Sequence, residues 1–291
     1  MRHPLRVVYA AGPGNVLGTY NHWKAGRDDP SQVSITYSGQ FYDLCKAHGA
    51  EAYVIASSTI PGYLHDGPIV IQHKPTPFQS ASGLLFHIGQ VWTSCRLIWT
   101  TLRFRADVLV IVCGTAHWFP FRILRWLGVE VIPSMHCVLW RKGRPPTGVS
   151  RMIGKLNRGF FTNGVASIMS ASRDIDAQLR ELTGGRIREI HDFLPTYRRE
   201  QFAGVGDPPR VRAPFRCFYA GRIERNKGVF DLLDIATRFR DEARPEIEFD
   251  LCGDGSALAE LKAAAAERGL SERFRCHGRL IVGAAARHEP L

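Results

Sequence analysis

No two of the seven cysteines (45, 95, 113, 137, 217, 252 and 276) form a C-x-x-C pair. Their wide scatter argues against a disulfide frame and against a zinc knuckle, and predicts reduced, mostly buried thiols in a cytosolic protein. A membrane-spanning run is lacking too, because the apolar helix read over 83–105 is interrupted by His87, Gln90, Arg96 and Arg103. The opening residues, Met1-Arg-His-Pro-Leu-Arg6, run straight into a strand pattern without a secretory h-region. Repeats and low-complexity tracts are absent, and no D-x-D pair reads as metal-binding. Acidic residues are scarce in one place above all. Between Arg96 and Arg158 there are 2 of them against 11 basic ones.

What is present fits a globular protein. A chain of 291 residues can bury a large core and is expected to form two domains. The net charge of +11 is lopsided: residues 1–195 carry 21 Lys+Arg against 12 Asp+Glu, residues 196–291 carry 17 against 15. An acidic partner therefore belongs to the first half.

Strand and helix patterns alternate over the first 195 residues. A strand at 5–10 leads into the loop Ala11-Gly-Pro-Gly-Asn-Val-Leu-Gly18. Its spacing, G-x-G-x-x-x-G, misses the dinucleotide fingerprint, and the next strand (52–57) ends in Ser57-Ser58 without a ribose-binding carboxylate. An NAD-dependent oxidoreductase is disfavoured. A helix is read over 39–48, with Phe41, Leu44 and Cys45 on one side and Gly49 as its stop. Loop follows over 60–77 around a short strand, 69–72. Then come helix 83–105, strand 107–112, helix 119–127, strand 129–135, helix 148–161, strand 166–169, helix 173–182 with Ser172 as N-cap, and strand 187–190. Such alternation predicts a doubly wound α/β domain. Charged residues and Pro208-Pro209 make 196–214 the expected linker.

The second half is organised around Cys217-Phe-Tyr-Ala-Gly-Arg-Ile-Glu-Arg-Asn-Lys-Gly228. A buried strand over 215–220 stops at Gly221, then Arg222 and Lys227 flank the entry to a helix. Two fixed cations and a helix N-terminus together suit a phosphate or diphosphate. A strand at 249–252, the turn Gly253-Asp254-Gly255 and a helix over 256–268 follow. Asp254 either holds the turn near a nucleotide or caps that helix. In the first half, His136 ends the apolar strand 129–135, at the carboxyl edge where open parallel sheets bind ligands.

The succession G-R-[LI]-x-x-x-K-G, helix, strand and G-D-G resembles the donor-binding half of group 1 glycosyltransferases (family 4, GT-B fold). The resemblance implies a GT-B-like chain: an acceptor-side Rossmann-like domain (1–195), a linker (196–214) and a donor domain (215–291). It implies a nucleotide-sugar donor, a glycan or lipid-linked acceptor of the cell envelope, retention of configuration, and no cofactor or metal. Arg222 and Lys227 would neutralise the donor diphosphate and His136 would contact the donor sugar. Gly221, Gly253, Asp254 and Gly255 would form the nucleotide loops, and Gly12, Gly14 and Asn15 the acceptor-side loop. Two departures matter. The family's Asn-Gly turn before the linker is replaced by Asp192-Phe-Leu-Pro195, and in the donor half, where the family carries E-x(7)-E, Gly278 is followed only by 279–291, in which Glu289 has no carboxylate partner at that spacing. The chain is thus expected to be truncated at its C-terminus and impaired in transfer. The donor domain would be partial, with three strands, two helices, an open sheet edge and uncovered apolar faces. The alternative is a non-catalytic pseudoenzyme or a membrane-surface binding protein.

The basic band also carries Trp99, Trp118, Phe119, Phe121, Trp126 and Trp140, with Arg122 and Arg125 beside Trp126. Three readings stand: an interfacial surface against anionic lipid, an RNA-binding face, or core aromatics beneath solvated arginines. With no nucleic-acid motif, no nucleic-acid partner is expected. The expected location is the cytoplasm, peripheral on the inner face of the membrane.

Overall fold

The computed structural model describes residues 3–279 except 30–35, 59, 79–80, 113–114, 116, 142, 188, 194–202, 204–205, 207–213 and 243–246. The chain falls into two compact units, Met1–Tyr197 and Arg198–Leu291. The linker expected at 196–214 lies almost entirely outside the described residues.

The first unit alternates strands with helices. Its strands are β1 (Arg6–Gly12), β2 (Glu51–Ala56), β3 (Gly62–Asp66), β4 (Ile69–His73), β5 (Val108–Val112), β6 (Glu130–Met135), β7 (Ile168–Ser170) and β8 (Ile190–Asp192). They form one sheet in the order β3-β4-β2-β1-β5-β6-β7-β8, parallel except for the antiparallel β3–β4 pair. Alternate residues of β1 face opposite cores. Val7 and Tyr9 join the side packed by α1 (Val16–Lys24) and α2 (Tyr37–His48), and Val8 joins the other. That other side is covered by α3 (Gly83–Arg103), α4 (Arg122–Trp126), α5 (Gly148–Asn163) and α6 (Arg173–Thr183), which contribute Leu97, Leu124, Phe160, Phe161 and Leu179. Helices on both faces of a mainly parallel sheet are the doubly wound α/β arrangement expected.

Local signals place several ends. Gly49 closes α2 in the left-handed region at φ 59°, and the Ser172 hydroxyl accepts from the Ile175 N–H to start α6. Four expectations need correction. Helix α1 starts inside the loop expected at 11–18, strand β3 lies inside the loop expected at 60–77, and the helix expected over 119–127 is a 3-10 turn, Phe119–Phe121, followed by the short α4. On α2 the buried positions are Phe41, Tyr42 and Cys45, while Leu44 is exposed. Of the described thiols only Cys45 and Cys252 are buried; Cys95 and Cys137 are exposed, since α3 turns Cys95 outward and Cys137 lies in the loop after β6.

The second unit has three parallel strands, β9 (Phe215–Ala220), β10 (Ile247–Cys252) and β11 (Phe274–Gly278), in the order β11-β10-β9. Helices α7 (Val229–Asp241) and α8 (Leu258–Glu267) both pack on one face, because successive right-handed crossovers that advance in one direction stay on one side. Leu233, Phe249, Leu251, Leu261 and Phe274 fill that core. Uncovered apolar surface was expected on the other face, which instead carries a charge ladder. Glu248 pairs with Arg216 at 3.3 Å and with Arg275 at 2.6 Å, and Asp250 takes Arg275 at 2.9 Å and His277 at 2.7 Å. The register explains it: Arg216 lies opposite Glu248, and Asp250 opposite Arg275. Phe218 is the exposed apolar exception on that side.

Candidate functional site

Two loops meet at the carboxyl end of the second sheet, and their backbones are laced together. The Gly221 N–H donates to the Cys252 carbonyl (3.0 Å), Ile223 N–H to Asp254 (3.0 Å), and Ala257 N–H to Ile223 (3.1 Å). Glycine is required at this seam. A Cβ on Gly255 would stand 2.8 Å from the Ile223 carbonyl carbon, and one on Gly253 would stand 2.9 Å from that of Gly221. The Glu224 carboxylate closes the lacing on the Ser256 hydroxyl (2.7 Å) and N–H (3.3 Å), which hold it below the usual carboxylate range. Glu224 and Ser256 were not singled out in the sequence, where nothing local links positions so far apart.

This seam fixes where the cations stand. Gly228, at φ 75°, turns the chain into α7 and supplies no side-chain cap, so the first N–H groups of that helix are left open. Lys227 ends the 3-10 turn Arg225–Lys227 just before it. Arg225 is committed elsewhere, paired with Glu260 and lying 4.5 Å over the Phe230 ring. Arg222 and Lys227 are exposed, and among the described residues neither has an ion-pair partner. Asp254 spends its carboxylate on the neighbouring Gly255 N–H (2.8 Å), and α8 begins only at Leu258 with Ala257 at its cap position, so Asp254 does not cap that helix.

In the first unit the expected residues lie at the carboxyl edge of the sheet. Gly12 ends β1 at φ 76° and its carbonyl accepts from Ser57 (2.9 Å) and Gly14 (3.2 Å). Asn15 caps α1, its Oδ1 accepting from the Gly18 N–H at 3.0 Å. His136 follows β6 with its ring between Tyr37 (5.1 Å) and Phe193 (4.9 Å), and its Nε2 is 3.1 Å from the Ser134 hydroxyl. Desolvation by those rings holds its pKa below the ordinary value, so the imidazole is neutral at pH 7. Tyr37 and Phe193, which frame it, were missed because they come from distant elements. Beside Gly12 lies a cavity of about 80 Å³ whose lining includes Lys74 and Arg96.

One D-x-D spacing occurs, Asp174-Ile175-Asp176. It forms the first turn of α6, where carboxylates favour the helix dipole. Among the described residues no group of three or more His, Cys, Asp and Glu is gathered to hold a metal ion.

The basic, aromatic band separates into two parts. Trp118 and Phe121 are core, Trp118 stacking on Phe160 at 5.8 Å. Trp99 and Trp126 are 66% and 75% exposed. On α3 the exposed positions Leu84, Leu85, Ile88, Trp92 and Trp99 recur at helical spacing, forming one apolar stripe. Among the described residues no helix is long and apolar enough to cross a membrane.

The family described as Glycosyl transferases group 1 matches residues 209–282, the segment that holds the laced loops. The chain is similar to the alpha-D-kanosaminyltransferase of Streptomyces kanamyceticus, 24% identical over 219 residues, covering 66% of this chain and 55% of the relative. The chain thus spans just over half the length of the curated relative it matches. Solved structures of similar fold include sucrose-phosphate synthase from Thermosynechococcus elongatus, with a TM-score of 0.64 at 12% identity, covering 97% of this chain and 72% of that one. The lipopolysaccharide-biosynthesis glycosyltransferase WaaG gives 0.56 at 10% identity, covering 96% and 71%. Anabaena HepE in complex with UDP-glucose gives 0.54 at 13%, covering 96% and 70%. These neighbours are GT-B glycosyltransferases, and the two Rossmann-like units accord with that fold.

Proposed function

We propose that the chain is part of a glycosyltransferase that moves a sugar from a nucleotide-sugar donor to a glycan or lipid-linked acceptor of the cell envelope, with retention of configuration. The observation that carries this is the position of Arg222 and Lys227. They are cations without an ion-pair partner among the described residues, Lys227 next to the uncapped start of α7 and Arg222 on the loop laced to Gly253 and Gly255, inside the segment matched by the family. A leaving nucleoside diphosphate gains negative charge as the glycosidic bond breaks, and pre-placed cations stabilise that charge without reorganising. Asp254 and Gly255 would line the nucleotide. His136, neutral and held by Ser134, would donate to or accept from a sugar hydroxyl, and the loop of Gly12, Gly14 and Asn15 would face the acceptor.

The test is transfer from radiolabelled nucleotide sugars to cell-envelope lipid and glycan fractions, with the product anomer read by NMR. A product of the donor's own anomeric configuration is expected. Nucleoside diphosphate binding with no transfer to any fraction would favour the non-catalytic reading instead.

The exposed stripe of α3 supports a second element of the reading, a seat on an anionic membrane. Trp92 and Trp99 stand out from α3 and Trp126 from α4, while Arg122 and Arg125 flank Trp126. Amphipathic aromatics with basic neighbours favour the headgroup region of a bilayer.

A further inference from the structure

The cavity beside Gly12 lies wholly within the first unit, at the carboxyl ends of β1, β2, β4 and β5 and against one side of α3. Its volume of about 80 Å³ is several times the roughly 10–15 Å³ that a single water needs, so a phosphate group has room. Lys74 and Arg96 line it, with Ser57 and Thr76 adding hydroxyls from the strand ends. We propose that this cavity is an anion site that takes a phosphate or diphosphate group.

The charges make the case. Lys74 and Arg96 are both partly buried, and among the described residues neither has a carboxylate within ion-pair distance. Three other cations of the same unit are matched, Arg6 by Glu51, Lys24 by Asp66 and Arg125 by Glu130. Withdrawing two like charges from water without a counter-ion is unfavourable, and an anion between them reverses the sign. Burial, and then the charge of Arg96, hold the Lys74 amine below its ordinary range.

The site is also braced before any ligand arrives. The Lys74 N–H donates to the Ala56 carbonyl at 2.7 Å. Its buried neighbour His73 receives the Leu17 N–H on Nε2 (3.4 Å) and donates from Nδ1 to the Ile60 carbonyl (2.8 Å). From α3, Arg96 Nη2 donates to the carbonyls of Lys74 (3.2 Å) and Pro75 (3.3 Å). Gly89 lets the loop press onto the helix, since a Cβ there would stand 2.6 Å from the Pro77 carbonyl oxygen. Phe78, at φ 57°, is held in the left-handed region that a bulky residue avoids. The hydroxyls of Thr93, Ser94 and Thr100 are already spent on helix carbonyls and that of Thr115 on the His117 carbonyl, which leaves Ser57 and Thr76 as the hydroxyl donors of the lining.

The proposal rests on the transferase reading only in naming the carrier of the phosphate as an acceptor. Arg96 stands one turn from Trp92 and from Trp99 on α3, so the cavity adjoins the exposed apolar stripe and a lipid-borne phosphate has a route to it. The experiment uses the full chain with Arg222→Ala and Lys227→Ala, which removes any anion site of the second unit and keeps failure there distinct from failure here. Calorimetry with inorganic phosphate and with pyrophosphate, at constant ionic strength, should show saturable binding to one site. Lys74→Gln should weaken it about tenfold or more, as loss of a charge-assisted contact does. Arg96 also braces the loop, so Thr76→Val serves as the second, milder variant and should weaken binding less. Absent saturation, or affinity indifferent to Lys74→Gln, overturns the proposal. Vesicles of phosphatidylcholine with either phosphatidic acid or phosphatidylserine then separate the sources. A Lys74-dependent preference for phosphatidic acid assigns the phosphate to a lipid headgroup, and equal binding assigns it to a soluble or glycan-borne phosphate.

Discussion

A Cβ added to Gly253 would stand 2.9 Å from the carbonyl carbon of Gly221 and closer still to its oxygen, so these two loops touch backbone to backbone. Nothing flexible can yield at that contact. Gly253→Ala should therefore cost at least about 1–3 kcal/mol, the usual penalty of overpacking, and lower the melting temperature of the second unit. Gly14→Ala is the control, since nothing lies within 4 Å of its Cβ and it should stay within about 0.5 kcal/mol of the parent. Denaturant unfolding of both variants decides it. Equal stability would mean that the seam is looser than the geometry indicates.

If the same seam positions a diphosphate site, Arg222 must discriminate by charge. A nucleoside diphosphate should bind more tightly than its monophosphate. Arg222→Ala should erase most of the difference, a loss of about 1.5–3 kcal/mol for a hydrogen bond to a charged group. Titration calorimetry of the parent and the variant measures both arms. Indifference to the second phosphate would remove Arg222 from the role proposed for it.

What could be read from the sequence follows how local each signal is. Strand β9 sits at 215–220 as expected, because a short apolar run between Pro214 and Gly221 leaves little choice, but it is not the buried strand expected: it lies at the edge of its sheet, and Phe215, Arg216, Phe218 and Ala220 are exposed. Helix α1 was hidden by the glycine loop, and only the side chain of Asn15 accepting from Gly18 reveals the cap. Strand β3 was hidden by its own edge position, where Tyr63 and His65 face outward, although Asp66-Gly67 was a legible hairpin signal. His136 could be named because a strand end is a local feature. Lys74 and Arg96 could not, since 22 residues separate them and only the packing of α3 on the loop after β4 brings them to one cavity.

The two units should also part company in acid. His117 is 3% exposed, its Nε2 is 3.1 Å from His87 Nδ1, and its own Nδ1 lacks a partner among the described residues. Burial, then the charge of His87, depress its pKa below the ordinary 6.5, and desolvation does the same to His136. Protonation therefore favours the unfolded chain: stability is full above pH 6.5 and falls as the pH drops through that value. Asp250 behaves differently. Hydrogen bonds from Arg275 depress it from 3.8 to about 2, so its contribution persists above pH 3.8 and is lost only on the way to 2. Hydrogen exchange followed by mass spectrometry between pH 7 and 5 should show the first unit loosening while the second holds. His117→Phe should flatten the slope. A first unit equally protected at both ends of that range would show that the buried imidazoles are not what sets its acid sensitivity.

The exposed face of α3 leads to the last expectation. Leu84 and Trp126 are each 75% exposed and Trp92 is 62% exposed, which is more apolar surface than scattered positions account for. Two forces would act on it at a bilayer. The aromatic and aliphatic side chains enter the headgroup boundary, a term that salt leaves largely alone. Arg122, Arg125 and the other basic residues of the band attract anionic lipid at about 1 kcal/mol each near the surface, a term that salt screens. The two terms can therefore be separated by mutation. The protein should co-sediment with phosphatidylserine vesicles at low ionic strength and dissociate as salt rises. Trp92→Ser with Trp99→Ser should lower binding at every salt concentration, whereas Arg122→Ala with Arg125→Ala should lower it at low salt and leave the high-salt remainder unchanged. If neither pair alters sedimentation, or the parent stays in the supernatant at low salt, the stripe does not meet a membrane.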